Sequence, residues 1–118
     1  AARLESLPGV YDCDVVISGA TASKLSDQFI LRELDRVTVK GIEAVLPIFE
    51  PLDGMSLDMA SLYARALAEY RSRNFAAAIS IWQELDDGPS KVMARRAREY
   101  IKNPPPHAWA GVWPASKA

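Results

Sequence analysis

The sequence has one cysteine and one histidine in 118 residues. Cys13 alone forms no internal disulfide, and Cys13 with His107 falls short of the ligands a zinc finger needs. An excess of either charge is also missing. Fourteen Lys and Arg face fifteen Asp and Glu, a formal net charge of −1, so no broad cationic surface for nucleic acid or anionic lipid is expected. No apolar run approaches the roughly 20 residues of a membrane-spanning helix. Ala1-Ala2-Arg3-Leu4-Glu5 lacks the basic start and apolar core of a secretory leader. What is present is globular in character, with 49% hydrophobic and 25% charged residues. The expectation is a soluble, cytoplasmic segment with no metal site of its own, no nucleic-acid partner and no membrane segment.

The chain opens on strong helix formers, Ala-Ala-Arg-Leu-Glu-Ser-Leu, without an N-cap ahead of them, and reads as the last turns of a helix stopped by Pro8-Gly9. Val15-Val16-Ile17 has the β-branched character of a short buried strand. Ser18 is placed to cap a two-turn helix over 20–25. Phe29 to Val39 alternates, with Phe29, Leu31 and Glu33 on one face and Ile30, Arg32 and Leu34 on the other. Val45-Leu46-Pro47-Ile48-Phe49 forms its partner in an antiparallel hairpin turning at Lys40-Gly41, with Pro47 at an edge or bulge.

From there the pattern is helical. Ser56 is a candidate N-cap for a stripe of Leu62, Tyr63, Ala66, Leu67 and Tyr70. Asn74 is a candidate cap for Phe75, Ala78, Ile79, Trp82 and Leu85. Asp87-Gly88-Pro89 breaks the chain, Pro89 opening a third helix with Val92, Met93, Ala97, Tyr100 and Ile101 inward. Its Arg95, Arg96 and Arg98 read as a solvated face beside Glu99 and Asp86-Asp87. Trp109 and Trp113, in a Pro-rich ending, are expected to pack back on the body. His107 reads as a surface residue, and Asp12 and Asp14 are expected to raise the pKa of Cys13.

The run Arg32-Glu33-Leu34-Asp35-Arg36-Val37-Thr38-Val39-Lys40-Gly41, followed by Ile48-Phe49-Glu50-Pro51-Leu52, resembles the C-terminal end of a class III nucleotide cyclase catalytic domain. Val16 to Ala22 resembles that family's strand-to-helix segment, and Arg3-Leu4-Glu5-Ser6-Leu7 the end of one of its helices. The resemblance implies an α+β fold, part of a ferredoxin-like antiparallel sheet followed by a three-helix extension. It divides the chain into residues 1–53, the cyclase portion; 54–103, a helical extension similar to a single tetratricopeptide repeat; and 104–118, a Pro/Trp-rich tail.

It further implies a bacterial adenylate cyclase working as a homodimer, converting ATP to cyclic AMP and pyrophosphate with two Mg²⁺ (or Mn²⁺) ions. Arg3 falls where the family has its transition-state arginine, a fork of donors suited to growing phosphate charge. Lys40 falls where a lysine contacts the triphosphate. The metal-binding aspartates have no counterpart in this sequence, so the segment is expected to be inactive alone. The helical half is expected to pack on the catalytic portion or a partner and to regulate or order the dimer. The alternative is a non-catalytic module, a degenerate cyclase scaffold carrying a helical hairpin that binds other proteins.

Overall fold

A computed structural model of the chain describes residues 6–38, 44–52 and 57–113. Among these residues the protein is mixed α+β, a three-stranded antiparallel sheet with five helices. The elements run α1 (Leu7–Val10), β1 (Ile17–Ser18), α2 (Gly19–Leu25), β2 (Ile30–Thr38), β3 (Val45–Leu52), α3 (Leu57–Arg71), α4 (Phe75–Leu85) and α5 (Gly88–Lys102). The expected turn at Lys40-Gly41 and the expected Ser56 cap lie outside the described residues.

Pro8-Gly9 sits inside a helix instead of ending one. Pro8 occupies the first turn of α1, where its missing N–H has no helical partner to lose. The strand expected at Val15 is shorter and later, since only Ile17 and Ser18 pair, with Phe49 and Ile48, and Val15 is exposed. Ser18 then caps α2 as its residue type suggests, its hydroxyl accepting from Thr21 N–H at 3.3 Å. The sheet order is β1-β3-β2, which makes β3 central. Pro47 nevertheless lies just past the two residues that β1 covers, so β3 is locally an edge there.

The β2–β3 hairpin contains the irregularity on which the interior is built. Ile30↔Leu52 to Glu33↔Phe49 are in one register, and Asp35↔Ile48 to Thr38↔Val45 in another. Leu34 is the extra residue of a β-bulge, which bends the strand and breaks strict alternation. In consequence Arg32, Leu34, Asp35 and Val37 are all buried. The carbonyl of the bulged Leu34 is satisfied by the Tyr63 hydroxyl of α3, which donates to it at 2.9 Å.

Helices α3, α4 and α5 stack in sequence, and α3 lies on β2. The stripe Tyr63, Ala66, Leu67 and Tyr70 of α3 and the stripe Phe75, Ala78 and Trp82 of α4 are buried, as their spacing implies. Asn74 precedes α4 but its side chain makes no capping hydrogen bond. The cap of α5 is Asp87, which accepts from Ser90 N–H at 3.1 Å, and Pro89 lies in the first turn. On α5 Val92, Met93, Ala97 and Tyr100 are buried, whereas Ile101 is 53% exposed because the stripe ends on Tyr100. One core cluster runs from Leu7 and Tyr11 through Leu34 and Ile48 to Trp82 and Tyr100, so the segments on either side of residue 54 share an interior.

The tail folds back as expected. Trp109 and Trp113 pack against the core, and Trp109 meets the rings of Tyr70 and Tyr100 at 5.3 and 5.1 Å. Arg73 donates to the carbonyls of Pro105 and Pro106, and its guanidinium lies 5.7 Å from the Trp109 ring.

Gly88, at the start of α5, lies close against the backbone of Asp12, just after α1. A Cβ built there would overlap the carbonyl oxygen of Asp12. Gly88→Ala is therefore expected to lower the unfolding free energy by about 1–3 kcal/mol, the usual cost of forcing extra volume into a packed site. Urea denaturation measures it, and a midpoint equal to that of the parent would contradict the tight packing.

Candidate functional site

The two residues carried over from the cyclase resemblance, Arg3 and Lys40, lie outside the described residues. Lys40 falls in sequence between the end of β2 and the start of β3. Polar chemistry among the described residues concentrates instead on β2, where two buried charges point toward the helices.

Arg32 is 2% exposed and bridges two carboxylates, donating through Nη2 to Glu50 on β3 and through Nη1 to Asp87 at the start of α5. Its guanidinium also lies 4.8 Å from the ring centre of Tyr63. Asp87 thus has two roles, capping α5 with Oδ1 and pairing with Arg32 through Oδ2. Asp35, three residues along β2, is fully buried. Its Oδ2 accepts from the Tyr11 hydroxyl at 2.7 Å and from Arg96 Nη1 at 3.0 Å. Arg96 Nη1 also donates to the Tyr11 oxygen at 3.2 Å, and the guanidinium lies 4.9 Å from the Tyr11 ring and 5.0 Å from that of Trp113.

Arg96 is therefore not part of a solvated face. It is 8% exposed and turned inward, because the buried carboxylate of Asp35 requires a cation beside it. Burial pushes the Asp35 carboxyl above its ordinary range, against the opposing pull of Arg96 and Tyr11. Burial, reinforced by Asp35, likewise raises the Tyr11 hydroxyl, so Tyr11 stays a neutral donor. The triad has the composition of an acid–base relay. With Tyr11, Asp35 and Arg96 all buried, however, no substrate proton comes within hydrogen-bond reach. What this arrangement does is orient: it holds α1, β2 and α5 in one relation.

Among the described residues no three His, Cys, Asp or Glu side chains come together as a metal site. The two-metal chemistry of the cyclase family has no ligand set here, and no step through a metal is assigned to these residues. His107 is exposed, in line with a surface histidine. The Cys13 thiol is pushed up to about 11, first by burial and then by the charge of Glu50, with Asp14 a smaller contributor. The direction agrees with the sequence reading, but the larger causes are not the flanking aspartates.

Sequence reasoning passed over Arg32, Asp35, Asp87 and Arg96. A signal existed for Arg32, which alternation puts on one face with Ile30 and Leu34, but not for Asp35, which strict alternation puts on the other. Their common orientation needed the bulge at Leu34, which no alternation pattern announces.

Two outcomes follow from these geometries. Arg96→Met leaves Asp35 buried without its cation and is expected to destabilise by about 3–5 kcal/mol, while the double variant with Asp35→Asn recovers much of the loss. Equal losses in the single and double variants, measured by denaturant unfolding, would deny the pairing. For Cys13, a pKa raised from 9.0 to about 11 means a thiolate fraction near pH 8 lower by roughly 100-fold. Iodoacetamide labelling of the folded protein should be correspondingly slow and climb with pH toward 11; a rate levelling off near pH 9 would show an ordinary thiol. Compared with protein-family models, curated proteins and solved structures, the chain finds no match.

Proposed function

We propose that this chain is the C-terminal part of a class III nucleotide cyclase of the adenylate type, contributing phosphate-binding groups to a site completed by an upstream region. The observation that carries the reading is the pairing of the two segments on which the resemblance rests. Arg32-Glu33-Leu34-Asp35-Arg36-Val37-Thr38 lies on β2 and Ile48-Phe49-Glu50-Pro51-Leu52 on β3, adjacent and antiparallel. Arg32 and Glu50, one from each segment, are direct register partners and an ion pair. The ferredoxin-like antiparallel sheet that the resemblance implies accommodates such a pair, and the sequence joining the two strands contains Lys40.

In this reading Arg3 supplies a guanidinium to the negative charge that develops as the ribose 3′-hydroxyl attacks the α-phosphate. Lys40 supplies a point charge to the triphosphate. The helical half acts as the cover of the β2 face. Its stripes at Tyr63, Tyr70 and Trp82 are spent inside the chain, which favours this role over a free peptide-binding hairpin. ATP is the substrate and a homodimer the working form, as the resemblance implies.

The test uses a polypeptide that joins residues 1–118 to the upstream catalytic region this reading requires, with cyclic AMP formation from ATP as the readout. Arg3→Ala is expected to lower kcat by about 10²–10³, the loss typical of one transition-state donor. Lys40→Ala is expected to act mainly through KM for ATP. A parent-like kcat for Arg3→Ala would remove Arg3 from the site and with it the main support for the assignment.

A further inference from the structure

The helical half carries a second polar feature, which the nucleotide reading does not use. Helix α5 has five basic residues, and four of them, Lys91, Arg95, Arg98 and Lys102, follow one another at steps of four, three and four. Such steps align side chains along one face of a helix, and all four are exposed. The fifth, Arg96, is turned inward to Asp35. Lys91 touches Asp86 loosely, at 3.9 Å with both side chains largely exposed. Among the described residues Arg95, Arg98 and Lys102 have no ion-pair partner.

Lys91, Arg95 and Arg98 line a cleft of about 350 Å³ between α4, α5 and the turn after α1. Asp12, packed against Gly88, also lines it. Its apolar lining comes from Val92, Ala94 and Trp82. The Trp82 indole presents an anomaly. Trp82 is fully buried, yet its Nε1–H finds no acceptor among the described residues, whereas buried indole donors are normally paired.

We propose that this cleft binds a small organic anion, a single carboxylate or phosphate group on an apolar body. Arg95 and Arg98 hold the oxyanion, and the apolar body lies against Val92, Ala94 and Trp82, whose indole signal reports occupancy of the cleft. Charge selects the class. Three cations in the lining favour an anion, while Asp12 and Asp86 in the same lining oppose a polyphosphate and limit the ligand to one anionic group. Size agrees, since the volume is at the low end of the roughly 300–1,000 Å³ of small-molecule sites. Arginine forks suit either oxyanion.

The test is a ¹⁵N–¹H titration of the chain at low salt, with the Trp82 indole signal assigned by Trp82→Phe. The probes are phenyl phosphate, phenylacetate and inorganic phosphate; the first two separate the oxyanions and the third removes the apolar body. A saturable shift of the Trp82 indole N–H with at least one phenyl compound is expected, at a Kd below about 1 mM and tighter than for inorganic phosphate. Arg95→Ala/Arg98→Ala, both at exposed positions, should weaken it by about tenfold or more. Lys102→Ala, on the same stripe but beyond the cleft, should leave it unchanged. The proposal is overturned by an unmoved Trp82 signal, by equal binding of inorganic phosphate, by parent-like affinity in the double variant, or by equal weakening from Lys102→Ala. None of these readouts depends on cyclase activity.

Discussion

A carboxylate removed from water has to be given a cation, and the arrangement of the helical half follows from that demand at Asp35. The residue is fully buried on β2, with Tyr11 and Arg96 as its hydrogen-bonding partners. Turning α5 by a single residue would carry Arg96 away and set Arg95 or Ala97 in its place. The cost of an unpaired buried charge, several kcal/mol, exceeds what small shifts in apolar packing could return. Arg32 adds a second fixed point three residues away, tied to the first turn of α5 through Asp87. Two polar anchors on one strand therefore set both the rotation and the position of α5, something an apolar face specifies only loosely.

Around those anchors the aromatic residues supply bulk. Tyr70 meets Phe75, Trp82, Tyr100 and Trp109 with ring centres between 5.3 and 6.0 Å apart, mostly edge-on or tilted. These are the separations at which ring quadrupoles attract. The tail completes this cluster. Trp109 donates to the Val112 carbonyl at 3.1 Å, and Gly111, with φ of 88°, takes a left-handed turn that a side chain would strain.

Much of this was legible in the sequence wherever one physical rule acted alone. Ser18 before small residues made a cap, the steps from Tyr63 to Tyr70 made a helical stripe, and an alternating run followed by the apolar run Val45–Phe49 made a hairpin. Legibility failed where two rules competed. Arg96 looked solvated because arginines on mixed-charge helices usually are, and only the position of Asp35 shows why this one is not. Asp35 in turn faces inward through the bulge at Leu34, a change of backbone register with no side-chain signature. Asp87 was visible as a helix breaker, while its pairing with Arg32 spans 55 residues of sequence. Of the candidate site residues, Arg3 and Lys40 came from resemblance to a family, whereas the cleft beside Trp82 arises from three elements that only the fold brings together.

The bulge and its neighbouring charges also govern what this strand does when its cover is lost. β2 is an edge of the described sheet, and its inward face is hidden by the helices. Should α3 and α5 lift away, as in a partly unfolded molecule, the surface uncovered is a bent ribbon carrying a guanidinium and a carboxylate. A flat apolar ribbon would recruit a strand from another chain; this one offers poor stacking and two groups that demand hydration. The polar pairs that orient the folded protein thereby protect its opened form from self-association.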